Sequence, residues 1–224
     1  MTIKERCQEI KQYFLNKITL AEQTHDRAII SIVCLSILDC MAQENAKYSN
    51  GENKKTFVNF IKQYGSSDIL DCVNYITLYY ECTEKFNLEG FCINNILSNG
   101  CVYTLLEIGE IFNKFNLDTI PLRQKNKHKL DSQLWFYRNK IMHELNTISF
   151  DISMDTSFIP DNVPYFYSFS NNWVFCIPIK FIKELTIRCL ENYLCHCEEC
   201  NQDPFSNNNR NNLVYLSWAN YISG

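Results

Sequence analysis

Glycine and proline are scarce in this sequence, and it holds no long apolar run. Its 224 residues include 6 glycines and 5 prolines, which argues against a β-sandwich or a linker-rich assembly. The longest apolar run, residues 28–38, is eleven residues long, whereas a membrane-spanning helix needs about 20. We therefore expect a mainly α-helical fold in which this run is a buried core helix, and no membrane partner.

An excess of basic charge is also lacking. The net charge at pH 7 is −4 and the sequence pI is about 5.6. Proteins that bind nucleic acid tightly and without sequence preference are usually basic, so this class is disfavoured. An enzyme that holds a few phosphates in one cleft stays compatible with the composition, because it needs only a local basic patch.

No secretion signal accompanies the 12 cysteines. The N-terminal segment is charged throughout and has no apolar stretch of the kind found in signal peptides. We therefore expect a cytoplasmic protein whose cysteines are small buried hydrophobes rather than a disulfide framework. Six of them lie in apolar helical patterns: Cys34, Cys40, Cys72, Cys82, Cys101 and Cys189.

Apolar residues recur with helical spacing through much of the chain. The pattern predicts helices over residues 3–19, 26–47, 54–64, 68–86, 93–115, 130–145 and 178–198. Between the last two, residues 165–170 and 173–177 flank Asn171-Asn172 as the strands of a small β-hairpin. We interpret residues 1–200 as one helical domain and residues 201–224, with their asparagine-rich tract, as a polar C-terminal tail.

One motif combines groups that RNA cleavage can use. Arg138, Asn139 and His143 lie near the end of the predicted helix 130–145. Asn139 and His143 are four residues apart and share a helix face, whereas Arg138 begins about 140° round the helix from His143. A long side chain is therefore needed to bring the guanidinium of Arg138 to the same cleft.

These three residue types suit phosphodiester cleavage without a metal. An imidazole can take a proton from a ribose 2′-OH or give one to the leaving oxygen. A guanidinium can hold the phosphate and stabilise the charge that develops on its oxygens. A neutral amide can orient the imidazole or a phosphate oxygen. Arg138, Asn139 and His143 together supply all three functions.

A basic segment leads into the motif. Residues 123–140 contain six lysines or arginines against one acidic residue, Asp131. This is a local positive patch of the kind that binds phosphates, and His128 lies within it. The alternative is a solvated helix face with a flexible loop before it. The candidate RNA-binding residues are Arg123, Lys125, Lys127, Lys129 and Lys140.

The motif resembles the signature of the HEPN superfamily, which is Arg, a polar residue that is often Asn, then three or more residues and His. Weaker similarity extends to residues 50–61, to the Leu78-Tyr79-Tyr80 helix, and to Trp173 with Pro178 before the final helix. In all, about residues 25–200 resemble an uncharacterised bacterial HEPN-like group.

The resemblance implies an antiparallel helical bundle, with the β-hairpin inserted before the last helix. It implies a homodimer in which two motifs form one composite site and cleave RNA without metal or cofactor, leaving a 2′,3′-cyclic phosphate and a 5′-OH. Arg138 would bind the phosphate, Asn139 would orient the imidazole or a phosphate oxygen, and His143 would be the general acid or base.

The resemblance also implies a biological setting. Several members of the superfamily are toxins or act in antiviral defence, often with a partner or antitoxin protein. Others have lost catalysis and bind RNA, nucleotides or proteins. The second alternative for this chain is therefore a catalytically inactive binding module.

Other polar groups are interpreted more simply. The segment 195–200 has zinc-type ligands, but their spacing is too tight for a usual zinc finger, and incidental cysteines at a helix end are favoured. Asp39 would be costly to bury alone, so we expect it to pair with Arg138 or another cation. The aromatic residues of 165–175 are expected in the core and in hairpin pairing rather than in a base-stacking platform.

Overall fold

The computed structural model describes residues 1–46, 53–86, 93–98, 100–115, 120–144, 161–169 and 172–205. The α-helices are α1 (Ile3–Gln23), α2 (Arg27–Asn45), α3 (Asn53–Gly65), α4 (Tyr75–Phe86), α5 (Ile93–Ile96), α6 (Leu105–Phe112), α7 (Leu122–Lys127), α8 (Leu130–Glu144) and α9 (Ile179–Glu199). The strands are β1 (Val102–Thr104), β2 (Tyr165–Phe169) and β3 (Asn172–Cys176). The predicted mainly α-helical class is confirmed.

Helix α9 lies at the centre of the bundle and packs against α1, α2 and α3. Its buried positions recur with helical spacing, and among them Ile182, Cys189 and Leu190 have no exposed surface. The rings of Phe60 and Tyr64 on α3 contact Tyr193 on α9 at centroid distances of 5.5 and 5.4 Å. Burying each such large side chain contributes roughly 1.5–3 kcal/mol, so this seam dominates the stability of the bundle.

Helix α2 is the apolar helix expected from the sequence. The carboxylate of Asp26 caps it by accepting hydrogen bonds from the backbone N–H groups of Ala28 and Ile29 at 2.8 and 3.2 Å. Within the described part of the chain, it is the one helix long and apolar enough to cross a membrane, with 19 residues and a mean hydropathy of 1.4. A core helix passes the same test, and α2 packs against α1, α3, α8 and α9.

The sheet has three antiparallel strands in the order β1-β2-β3. The predicted hairpin is present as β2 and β3, paired from Tyr165 with Cys176 to Phe169 with Asn172. The third strand, β1, falls inside residues 93–115, so the prediction of one continuous helix there is wrong. The Thr104 hydroxyl accepts from the backbone N–H of Glu107, and this capping box begins α6 directly after the strand.

The predicted helix 68–86 is also wrong in its first part. A 3₁₀ turn occupies Asp68–Asp71, and α4 begins at Tyr75. The break arises because the chain here bonds to the segment before α8: the Asn74 N–H donates to the His128 carbonyl at 2.8 Å, and the Leu130 N–H donates to the Cys72 carbonyl at 3.0 Å. These bonds bring the start of α4 next to the start of α8.

Two further expectations have mixed outcomes. Cys34, Cys189 and other cysteines are buried, but Cys101 is exposed; no disulfide joins any of the ten described cysteines. The start of the predicted polar tail is docked, because the Tyr193 hydroxyl donates to the Pro204 carbonyl at 2.8 Å and Phe205 packs on Phe14. Residues 206–224 lie outside the described residues.

We expect Asn74→Ala to lower the free energy of unfolding by about 2–3 kcal/mol. The fully buried Asn74 side chain caps α4 through the Thr77 N–H and donates to Gln133 Oε1 at 2.9 Å. Loss of a cap costs about 1 kcal/mol, and an unsatisfied buried acceptor adds about 1–3 kcal/mol. Chemical denaturation measures the change.

The matched control is Asp26→Ala, which removes the exposed cap of α2 without orphaning a buried partner. It should cost about 1 kcal/mol. Equal losses for the two variants would contradict the role given to Asn74 in joining α4 to α8.

Candidate functional site

Arg138 joins α8 to α2. Its Nη2 forms an ion pair with Asp39 Oδ2, and its Nη1 donates a hydrogen bond to Asn139 Oδ1 at 2.8 Å. The guanidinium carbon lies 5.0 Å from the centroid of the Trp135 ring, within cation–π distance. The two charged side chains are 17% and 19% exposed. The expected pairing of Asp39 with Arg138 is confirmed.

Two atoms of this pair keep unused bonding capacity. Asp39 Oδ1 and Arg138 Nε are both buried, and neither has a hydrogen-bond partner among the described residues. An unsatisfied buried polar atom costs about 1–3 kcal/mol, so within the described residues the pair does not satisfy all of its buried polar atoms. The guanidinium is nonetheless held in one place on three sides.

The exposed face of α8 lies beside Asn139, the second residue of the motif. Phe136 and Lys140 are exposed and Asn139 is half-buried, whereas Leu134 and Ile141 face the core. The backbone of α8 continues to Glu144. By helical period, position 143 lies about 40° from position 139 and about 20° from position 136.

The structure therefore brings part of the predicted motif together. Arg138 and Asn139 are in direct contact, and both are held by described residues. The His143 side chain lies outside the described residues. Position 138 is turned about 140° from position 143 on the same helix, and its guanidinium is directed to α2.

The predicted basic patch divides into two sets. Lys127 pairs with Glu81, and Lys129 pairs with Asp71 at 2.9 Å, an acid that Lys62 also contacts at 2.6 Å. Arg123 and Lys125 on α7, and Lys140 on α8, have no ion pair with any carboxylate that the structure describes. The net positive charge of the patch thus comes from these three side chains.

His128 belongs to a buried polar cluster that sequence analysis did not find. It is 5% exposed; its Nδ1 lies 3.0 Å from the Thr77 hydroxyl and its Nε2 lies 2.9 Å from Glu81 Oε2. The second contact is an ion pair only when the imidazole is protonated. Burial lowers the pKa of His128 below 6.5, although Glu81 opposes the shift.

One backbone N–H group determines which atoms donate and which accept in the hydrogen bonds of this cluster. The Thr77 N–H donates to Asn74 Oδ1, so the Asn74 amide must donate to Gln133 Oε1. Gln133 Nε2 then donates to the Thr77 hydroxyl at 2.9 Å, and its second hydrogen has no acceptor within this cluster. Residues 59 positions apart meet here, so no local sequence signal reveals the cluster.

The cysteine-rich end of α9 does not assemble a metal site among the described residues. No group of three or more His, Cys, Asp or Glu side chains is placed to hold an ion there or elsewhere in the described ranges. Cys197 faces the core and is 2% exposed, whereas Cys195 and Cys200 are exposed. Cys200 Sγ and His196 lie 3.8 Å apart at their closest atoms.

Comparison with known proteins returns no relative. No family model, no curated protein and no solved structure matches this chain.

We expect Asp39→Asn to lower the free energy of unfolding by about 2–3 kcal/mol. The substitution leaves the Arg138 charge largely buried without its partner, and breaking a buried pair from one side is costly. The double variant Asp39→Asn/Arg138→Met removes both charges and should recover at least half of the loss. A double-mutant cycle by chemical denaturation measures this, and additive effects would contradict a direct Asp39–Arg138 interaction.

The lowered pKa of His128 predicts weaker folding in acid. A histidine whose folded-state pKa lies below 6.5 favours the folded state above that pH. This contribution is lost as pH falls from about 6.5 through the folded-state pKa. We expect His128→Gln to flatten the dependence of unfolding free energy on pH below about 6.5.

The matched control is His25→Gln, which removes an exposed histidine and should leave the profile of the wild type. Imidazole NMR signals give the pKa directly. A His128 signal that titrates at or above 6.5 would contradict the effect of burial.

Proposed function

We propose that this protein is a metal-independent endoribonuclease of the HEPN type, with Arg138, Asn139 and His143 as its catalytic residues. The observation that carries the proposal is the contact of Arg138 with Asn139 beside the exposed face of α8. Asp39 and Asn139 hold the Arg138 guanidinium in place before a phosphate binds. Charge stabilisation in catalysis requires such a preorganised group. Position 143 lies one helical turn beyond Asn139.

The proposed reaction consumes no water and no metal. His143 takes the proton from a ribose 2′-OH, and the 2′-oxygen forms a bond to the adjacent phosphorus. The bond from phosphorus to the 5′-oxygen breaks, and that oxygen receives a proton from an imidazolium. The products are a 2′,3′-cyclic phosphate and a 5′-OH, while Arg138 neutralises the charge on the phosphate oxygens.

A composite site made by two copies of the chain fits the helix geometry. Positions 138 and 143 are about 140° apart on α8, and Arg138 is held toward α2 by Asp39. One copy would then supply the guanidinium and the other the imidazole. Arg123, Lys125 and Lys140 would extend phosphate contacts along the bound RNA. The setting in this proposal is a cytoplasmic toxin or antiviral defence effector restrained by a partner protein.

The second candidate is a catalytically inactive HEPN-like module that binds RNA, a nucleotide or a protein. The specific observation in its favour is the Asp39–Arg138 ion pair. A guanidinium already neutralised by a carboxylate binds phosphate less strongly than a free one. Catalysis then depends on whether the phosphate competes for the remaining N–H groups of Arg138.

Purified wild-type protein is expected to cleave mixed cellular RNA in EDTA, and His143→Ala should slow cleavage by about 10²–10⁴-fold because it removes the general acid–base group. Gel analysis gives the rate, and end-group analysis should show cyclic phosphates. His25→Ala, which removes another imidazole on the described surface, should cleave as the wild type does.

Absence of cleavage by a folded wild-type dimer would favour the binding module. Equal cleavage by wild type and His143→Ala would contradict the assignment of His143 and would point to a contaminant or another site.

A further inference from the structure

A groove opens between α4, α7, α8 and β3. Its volume is about 610 Å³, and its lining includes Thr77, Gln133, Phe136, Lys140 and Trp173. Pockets that hold small molecules have volumes of about 300–1,000 Å³ and mostly apolar walls with a few polar groups. This groove therefore has the size and composition of a ligand site rather than of a packing defect.

Phe136 provides an open aromatic surface at the groove. Its side chain is 45% exposed, and Lys54 Nζ from α3 lies 4.8 Å from the centroid of its ring. A ring that is partly free of protein contacts offers an area on which a flat ligand can stack. Stacking of a nucleic-acid base on an aromatic side chain is worth about 1–3 kcal/mol.

Positive charge gathers beside this ring. Lys140 follows Phe136 by four residues on α8 and also lines the groove, so the two side chains are neighbours on the helix surface. Lys54 stands over the ring itself. At the other end of the groove Lys127 is neutralised by Glu81, so an anionic group is favoured at the Phe136 end.

A hydrogen-bond donor of fixed direction also lines the groove. Gln133 is held by Asn74 and by Thr77 at 2.9 Å each, and its second Nε2 hydrogen has no acceptor in that network. An amide fixed in this way can donate a hydrogen bond to an acceptor atom at the edge of a heterocycle. The groove thus combines an aromatic surface, a hydrogen-bond donor and cations.

We propose that the groove binds one nucleotide unit, with its base against Phe136, a base acceptor atom at Gln133, and its phosphate at Lys140 and Lys54. The proposal deepens the proposed function and rests on it for one detail: position 143 lies about 20° from position 136 on α8, so in bound RNA this nucleotide adjoins the scissile linkage. The nucleotide is either a residue of an RNA chain or a free mononucleotide.

The test measures binding separately from cleavage. The probe is a fluorescein-labelled RNA oligonucleotide of mixed sequence with every 2′-OH methylated, which cannot be cleaved by 2′-oxygen attack. Fluorescence anisotropy on the full chain gives the Kd. Phe136→Ala should weaken binding by about 5–150-fold, the equivalent of one lost stacking interaction. Lys140→Gln should weaken binding and lower the salt dependence by about one phosphate contact.

The chain offers a matched control on α1. Tyr13 is 42% exposed, and Lys17 Nζ lies 5.3 Å from its ring centroid, so this pair repeats the chemistry of Phe136 and Lys54 away from the groove. Tyr13→Ala and Lys17→Gln should leave the Kd within about twofold of the wild-type value, well below one stacking interaction.

The proposal would be overturned if Phe136→Ala and Lys140→Gln, both shown to be folded by circular dichroism, bound the probe with the Kd of the wild type. It would also be overturned if the wild-type protein did not bind the probe. Competition by a mixture of the four ribonucleoside 5′-monophosphates would show that a free nucleotide suffices; without competition, the RNA chain is the ligand. If the groove variants lose probe binding but still cleave RNA, the nucleotide site is refuted as part of the enzyme and the proposed ribonuclease activity stands. If the groove binds the probe but the wild-type protein cleaves no RNA, the ribonuclease activity is refuted and the nucleotide site stands.

Discussion

The ion pair between Arg138 and Asp39 is the interaction on which the candidate site depends. It ties α8 to the apolar helix α2 and fixes the guanidinium beside Asn139. The pair costs free energy through desolvation, and two of its atoms have no partner among the described residues. An apolar pair of similar volume would hold the helices at least as well. In the proposed enzyme, the charged pair is retained because it directs a cation.

The exposed face of α8 links the two proposals. Phe136, Asn139 and Lys140 follow one another on this face, and position 143 lies about 20° from position 136 by helical period. On one side the helix meets α2 through Arg138, and on the other it forms a wall of the groove. A single helix thus separates the group that would hold the phosphate from the surface that would hold a base. This arrangement explains why a composite site from two copies suits the motif.

Features set by local patterns could be predicted from the sequence. The amphipathic pattern before and after Leu185 predicted α9 over residues 178–198, and the helix is Ile179–Glu199. Asp26 marked the start of α2, and the β2–β3 hairpin followed from its aromatic strands around Asn171-Asn172. In the site, the motif position on α8 and the pairing of Asp39 with a cation were both accessible, because each depends on spacing or on the cost of a buried charge.

Features that depend on distant partners could not be predicted. β1 is three residues long and exists because Val102 to Thr104 pair with Tyr167 to Tyr165. The break before α4 depends on hydrogen bonds to residues 128 and 130. The burial of His128 follows from the same contacts, so its place in a polar cluster was hidden within a basic segment. These are tertiary effects that override local helical preference.

Complementation between two defective variants tests the central claim most directly. Arg138→Gln and His143→Ala are each expected to be inactive on RNA in EDTA, because each lacks one group of the composite site. Co-refolding equal amounts should restore about a quarter of wild-type activity, since half of the dimers are mixed and each mixed dimer keeps one of the two Arg138–His143 pairs that the composite site of a wild-type dimer contains. A mixture as inactive as either variant, formed from verified mixed dimers of a protein whose wild type cleaves RNA, would contradict the composite site.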